Sequence, residues 1–380
     1  MKRFINLISW HKLLSLGLLF VILFAFGCSK KKPEPDEMKI GAILPLTGES
    51  AFWGENIKKG IDLAVDEINQ KGGILGRKIV ILYEDTQGKP AVGTQAVLEL
   101  VSIHKVQCVI GDVISSVILA VAPIVERNKC ILLGFGESAE ITNAGDYIFR
   151  NWNSAASDAE ITGDFAAKHS NAVVVLSQND AFGKSAKELF ISQLRKNNVK
   201  IVKDEVFSKG ETDYRTVLAK LQTLEYDGLY IASFHQDTLV LLRQYKELGL
   251  KTVNIYGVSS WEEGTLISFL KENFSGKVYF GYPKPPDPNS PIVVEFRSKY
   301  KTKYKKEPEI LCDNGYDAVY MLKFGIEKAG SYKGLLIKDA LYTLQDFKGA
   351  SGNMSFDQNG DVHKPFGLKT ITADGLQWLE

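Results

Sequence analysis

A chain of 380 residues, 45% hydrophobic and 24% charged, can fill two domain-sized cores and is too apolar for a disordered segment. Its 46 Lys and Arg against 45 Asp and Glu leave a formal charge of +1. That balance lacks the basic excess of a nucleic-acid-binding surface, so no nucleic-acid partner is expected.

Residues 1–27 have the layout of a cleaved export signal. Lys2, Arg3 and Lys12 precede an apolar run from Leu13 to Phe26, which is short for a membrane span. "AFGC" resembles a bacterial lipobox and marks Cys28 as the expected lipidation site. Ala25 replaces the usual leucine and Phe26 is bulky, and an ordinary signal peptide with a chance cysteine is the alternative. Residues 28–37, "CSKKKPEPDE", hold almost nothing to bury and read as a solvated tether. Without residues 1–27 the net charge becomes −2.

From Met38 onward, strands alternate with helices. "MKIGAIL" is a short apolar strand. In the stretch after it, Ile57, Ile61, Ala64, Val65 and Ile68 recur at helical spacing, and Gly72-Gly73 is a fitting stop. "RKIVILYED" is the next strand. A helix after Pro90, the strand "VQCVIG", a helix from Ser115 and the strand "CILLGF" follow. Cys108 and Cys130 lie in these apolar runs and are expected as buried thiols. An exported location would permit a disulfide between them, but none is expected. The three cysteines beyond Cys28 match no zinc pattern.

The order then restarts. "NAVVVLSQNDAFGKSAKELFISQLRKNNVKIVKDEVF" repeats strand, loop with an aromatic before glycine, helix and strand, so "AFWG" at 51–54 and "AFG" at 181–183 occupy equivalent places. "DGLYIASF", "TVNIYGV" and "KVYFGYP" continue this second series. Continuous apolar strands separated by amphipathic helices predict parallel sheets covered on both faces. Ligands bind such sheets beyond the carboxyl ends of the strands. The loops there are "PLTGESAFWG", "GDVISS" and "GFGESAE" in the first series, and "SQNDAFG", "SFHQD" and "GVSSWEE" in the second.

"KIGAILPLTG", "GDVISS", "GESAEIT" with "YIFRN", "DAFGKS", "GETDYRTVLAKL", "LLRQYKELGLK", "GYDAVY" and "GNMSFDQNGDV" resemble, in order, the branched-chain amino-acid-binding proteins of ABC importers. The resemblance implies an α/β type I periplasmic-binding-protein fold: two Rossmann-like lobes with parallel central sheets, three crossings between them and a ligand cleft. The implied first lobe is 38–152 plus 282–348, and the second is 153–281 plus 349–380. "PKPPDPNSP" at 283–291 is rigid sequence suited to a crossing.

The resemblance implies that Ser115, through hydroxyl and backbone N–H, binds a ligand carboxylate. A helix N-terminus offers the unsatisfied N–H groups for this. A plain N-cap is the other reading of Ser115. Where relatives place threonine, this chain has Glu137, and where they place an ammonium-binding glutamate it has Ser259. Glu137 is therefore expected as a relocated ammonium partner, with a surface-facing glutamate as the alternative. Trp53, Phe182, Phe234 and Tyr316 match ring positions of the family pocket. Phe135 is expected to contribute backbone, and Val113, Ser116 and Gly136 complete the candidate set. Asp112 either caps the helix or helps a cationic ligand. His235 either caps the next helix or touches ligand. Glu262 and Glu263 read as helix-start acids.

The implied function is an exported, lipid-anchored receptor that closes on a small amino-acid-like ligand and delivers it to an ABC permease in the membrane. A monomer without cofactor, metal or catalytic chemistry is expected. No nucleophile elbow or P-loop occurs, and the five histidines are scattered. The alternative is a sensor of the same fold that binds an amide or an aromatic carboxylate without transport.

Overall fold

A computed structural model describes residues 37–379. The expected signal segment and Cys28 lie outside the described residues. No helix among the described residues is long and apolar enough to cross a membrane.

Two sheets carry the fold. The first is five-stranded in the order β2-β1-β3-β4-β5. Its strands are β1 (Met38–Leu44), β2 (Ile79–Asp85), β3 (Cys108–Ile110), β4 (Ile131–Gly134) and β5 (Ile148–Arg150). Every pair in it is parallel. Helices α1 (Ala51–Gln70), α2 (Pro90–Ser102) and α3 (Ser115–Asn128) connect these strands. All residues of β3 and β4 are buried, as strands covered on both faces require. Cys108 packs in the core on one face of this sheet and Cys130 in the cluster on the other, and both are free thiols.

The chain leaves this sheet after Arg150 and enters α4 (Ala155–His169), β6 (Ala172–Gln178), α5 (Ala181–Lys196) and β7 (Lys200–Phe207). The short α6 (Arg215–Ala219), β8 (Gly228–Ala232), α7 (His235–Glu247), β9 (Asn254–Gly257), α8 (Gly264–Phe274) and β10 (Val278–Pro283) follow. Beyond β10, α9 (Pro291–Tyr304), α10 (Cys312–Ala329) and α11 (Gly334–Leu341) return to the first sheet. There α10 lies so close to α1 that a Cβ on Gly60 would stand 1.9 Å from the Cys312 carbonyl oxygen. A three-stranded sheet of β11 (Phe347–Gly349), β12 (Gly352–Phe356) and β13 (Val362–His363) comes next. It packs on the first-sheet side, with Phe149 and Phe356 ring centroids 5.0 Å apart and Arg150 paired to Asp361.

Only β14 (Phe366–Thr372) and β15 (Gly375–Leu379) rejoin the second sheet, whose order is β15-β14-β10-β9-β8-β6-β7. These last two strands are antiparallel, an edge absent from the all-parallel expectation. Of the two pairings, β14–β15 has a local reason: Thr372 pairs Gly375 around a two-residue hairpin turn, and a hairpin can only reverse direction. Strand membership also differs from the expected limits of 282 and 349. β10 continues in the second sheet through Pro283, and the second sheet is re-entered at Phe366.

Candidate functional site

The carboxyl ends of β3, β4, β8 and β9 meet where the two sheets face each other. The turn after β3 is built around Gly111, whose φ of +105° suits glycine and whose Cβ would stand 1.9 Å from the Ile43 carbonyl oxygen. Asp112 follows, fully buried. Its Oδ1 accepts from the N–H groups of Val113 (2.6 Å) and Ile114 (2.8 Å), and its Oδ2 accepts the Thr86 hydroxyl at 2.5 Å. Burial pushes its carboxyl up to about 6 against these bonds. Asp112 thus ties the turn that launches α3, and all its contacts are internal.

Ile114, not Ser115, is the N-cap of α3; it is extended and makes no side-chain cap, and Ser115 is the first helical residue. The Ser115 hydroxyl instead accepts from the N–H groups of Glu137 and Ser138, both at 3.1 Å. It therefore fixes the loop after β4 to the start of the helix. The backbone N–H groups of Ser115 and Ser116 find no acceptor among the described residues, as expected for the first turn of a helix. Gly136 sits where a Cβ would press on Ile118, Ile141 and the Ser115 hydroxyl, and its carbonyl accepts from Arg150 Nη1 at 3.2 Å. The fully buried Arg150 also donates to the Ser138 carbonyl (2.6 Å) and pairs with Asp361, holding the loop from behind.

Glu137 faces inward and is 8% exposed, so the surface-facing alternative does not hold. Its Oε1 accepts the Trp152 indole N–H at 2.9 Å and, across the cleft, the Ser259 hydroxyl at 2.7 Å. Its Oε2 is buried without a partner among the described residues. Burial raises its pKa, with the Ser259 and Trp152 bonds and the Arg150 charge opposing. An ionised oxygen left unpaired in such a place is costly, so the geometry favours a cation or a proton there.

The rings come from both sides. Trp53 of α1 meets Phe234 at a centroid distance of 5.1 Å, and Phe234 stacks on Phe182 of α5 at 5.1 Å. Further bonds bridge the halves: Ala139 N–H donates to the Ser185 hydroxyl (3.0 Å), and Gln236 donates to the Glu49 carbonyl (3.2 Å). The lined cavity contains Trp53, Val113, Ser115, Phe135, Glu137, Phe182 and Phe234 from the candidate set. It is narrow, with about 20 Å³ open to the centres of water molecules, so a larger guest requires the walls to part.

Four further lining residues carried no signal in the sequence reading: Trp152, Ser260, Ile310 and Leu311. The Ser260 hydroxyl is buried without a partner among the described residues. Leu311 caps α10 in a left-handed conformation, φ +69°, unusual for a bulky residue and of the kind found at binding sites. Ser259, Ser116 and Gly136 do not line the cavity, and Ser259 is tied to it through its bond to Glu137.

Tyr316 lies elsewhere. Its ring packs on Phe296 (5.0 Å) and Tyr320 (4.9 Å), and its hydroxyl donates to Glu67 Oε2 at 3.2 Å within the first-sheet core. The aromatic after "NG" reads as a pocket ring, but α10 turns it toward α1. His235 is the first residue of α7, capped by Phe234; it places its ring edge-on to Trp53 at 5.2 Å, and burial lowers its pKa. Glu263 caps α8 by accepting from the N–H groups of Thr265 and Leu266, whereas Glu262 pairs with Lys369. No group of three or more His, Cys, Asp or Glu among the described residues could hold a metal ion.

A family model described as periplasmic binding protein matches residues 37–375. The Leu/Ile/Val-binding protein homolog 3 of Brucella melitensis is 26% identical over 368 residues, covering 93% of this chain and 96% of the relative. The crystal structure of the leucine-binding protein LivK from Thermotoga maritima superposes with a TM-score of 0.82 at 26% identity, covering 90% of this chain and 98% of that one. A solute-binding protein of an ABC transporter from Rhodopseudomonas palustris, in complex with 3,4-dihydroxybenzoic acid, superposes with a TM-score of 0.77 at 22% identity, covering 90% and 95%. The last shares the fold.

Proposed function

The chain belongs to the periplasmic binding protein family, with the branched-chain amino-acid binders among its relatives, and from that premise we propose that it binds a small amino-acid-like solute between its two lobes for an ABC importer. The ligand carboxylate takes the free N–H groups of Ser115 and Ser116, where the start of α3 supplies a partial positive charge worth about 0.3–2 kcal/mol to an anion. The ligand ammonium takes Oε2 of Glu137, and its side chain lies among Trp53, Phe182 and Phe234. The single observation that carries this reading is the buried, partnerless Glu137 Oε2 in the wall of the inter-lobe cavity. Strand membership supports lobes of 37–152 plus 284–364 and 153–283 plus 365–379. Delivery to a permease, an anchor at Cys28 and a monomeric state belong to the same proposal.

A second reading has one observation in its favour: five aromatic side chains, Trp53, Phe135, Trp152, Phe182 and Phe234, line the cavity. An aromatic carboxylate without an amine, bound for transport or for sensing, would suit those rings and leave Glu137 protonated. A thermal-shift screen of amino acids, amides and aromatic acids separates the two. A ligand at about 100 times its Kd adds about 2.7 kcal/mol of stability. A response confined to amine-free acids refutes the amino-acid reading.

A further inference from the structure

Glu137 is one end of a buried chain of polar groups. The Ser259 hydroxyl donates to Glu137, and the Ser259 backbone N–H donates to Asp158 Oδ2 at 2.8 Å. One serine of the second sheet's loop thereby joins a carboxylate on the loop after β4 to a carboxylate on α4. Asp158, 3% exposed, also accepts the Thr162 hydroxyl at 3.0 Å and the Gly281 N–H at 3.2 Å through Oδ1.

The other titratable and charged groups facing this chain are Arg150 on β5, Tyr230 on β8 and Tyr282 on β10. Arg150 is committed to Asp361 and to two carbonyls of its own loop. Burial drives both phenols well above their ordinary range, so they stay neutral. Two carboxylates thus share a compartment in which Arg150, the cation that faces them among the described residues, is already engaged. Burial, and after it the charge of Glu137, pushes Asp158 up to about 8, and burial raises Glu137 as well. Groups this close titrate as a unit, and the unit resists losing its second proton.

We propose that the Glu137–Ser259–Asp158 chain exchanges its proton for a ligand ammonium, so that the cleft selects its solute by charge according to pH. The proposal rests on the reading in which an amine meets Glu137. In the free protein the proton of the pair is held on Oε2 of Glu137, the oxygen that has no other partner among the described residues. When an amine-bearing ligand enters, that O–H bond breaks, the proton passes to solvent, and the carboxylate pairs with an ammonium that was already protonated outside. No electrons move. An amine-free acid brings no such cation, so it is held only while the proton stays on the pair. Amino-acid affinity therefore rises with pH through the range of the pair, by up to about tenfold per pH unit, and amine-free-acid affinity falls. Asp158 acts as a positioning residue, through Ser259.

The test uses matched probes: L-leucine with 4-methylpentanoate, and L-phenylalanine with 3-phenylpropanoate. Calorimetry from about pH 5.5 to about pH 8.5 gives Kd, and buffers of different ionisation enthalpy at one pH give the protons released. The expected result is opposite pH trends within each pair and net proton release on amino-acid binding. Glu137→Gln should abolish both trends and admit the amine-free acid at high pH. Asp158→Asn should keep the trends and move them to lower pH. Amino-acid binding with constant Kd and no proton release overturns the exchange and leaves the ligand reading standing. Failure of every probe at every pH overturns both. Should Glu137→Gln fail to fold, the proton count of the unaltered protein decides alone.

Discussion

Replacing Ser115 with alanine removes the acceptor that joins two loops. In the structure its hydroxyl takes the N–H groups of Glu137 and Ser138 at 3.1 Å each, and Ser138 is fully buried. An orphaned buried donor costs about 1–3 kcal/mol, so two cost about 2–6 kcal/mol. The lower half of that range is expected, because Glu137 borders the cavity and a water entering there reaches its N–H. A capping role gives a different figure, about 0.5–2 kcal/mol, but Ile114 occupies the cap and Ser115 makes no cap bond. Urea denaturation of the ligand-free protein measures the difference, provided the m-value is unchanged. Ser115→Thr keeps the oxygen and should recover part of the loss. A Ser115→Ala cost below about 0.5 kcal/mol refutes the reasoning.

Trp53→Ala removes the cross-cleft pair with Phe234, worth about 0.5–1.5 kcal/mol beyond buried area; ligand Kd should rise about two- to tenfold from that pair alone, read by calorimetry. Tyr316→Phe should leave Kd within about twofold while costing about 0.5–1.5 kcal/mol of stability, since its hydroxyl serves Glu67; a large loss of affinity would return Tyr316 to the pocket. Apart from Cys28, a thiol reagent should find no reactive cysteine in the native protein and three after denaturation without reductant, because Cys108, Cys130 and Cys312 are buried and free. Fewer than three would reveal a disulfide.

The parallel strands and their order of appearance were legible because β3, β4 and β8 are short apolar runs bounded by turn residues. The loops that build the cleft were legible for the same reason, since they must follow the strands' carboxyl ends. Ser115, Glu137 and the three rings at 53, 182 and 234 sit on such loops or in the first turn of the helices they lead into, and all line the cavity. What escaped notice depends on contacts distant in sequence. Trp152 matters through its bond to Glu137, and Leu311 reaches the cavity because the chain crosses back after Pro283. Tyr316 was misplaced because helical phase decides its direction: α10 packs against α1 at Gly60, which turns the phenol toward Glu67. The β14–β15 edge was missed because "LKTITADGLQW" joins the second sheet only as a hairpin at the chain's end.

The most direct measurement is a crystal structure of the protein with the solute that stabilises it most in the screen. A carboxylate at the start of α3, within bonding distance of the Ser115 and Ser116 amides, with an amine on Oε2 of Glu137, is the predicted result. A solute held elsewhere, or one whose amine points away from Glu137 while that oxygen keeps a water, contradicts the account.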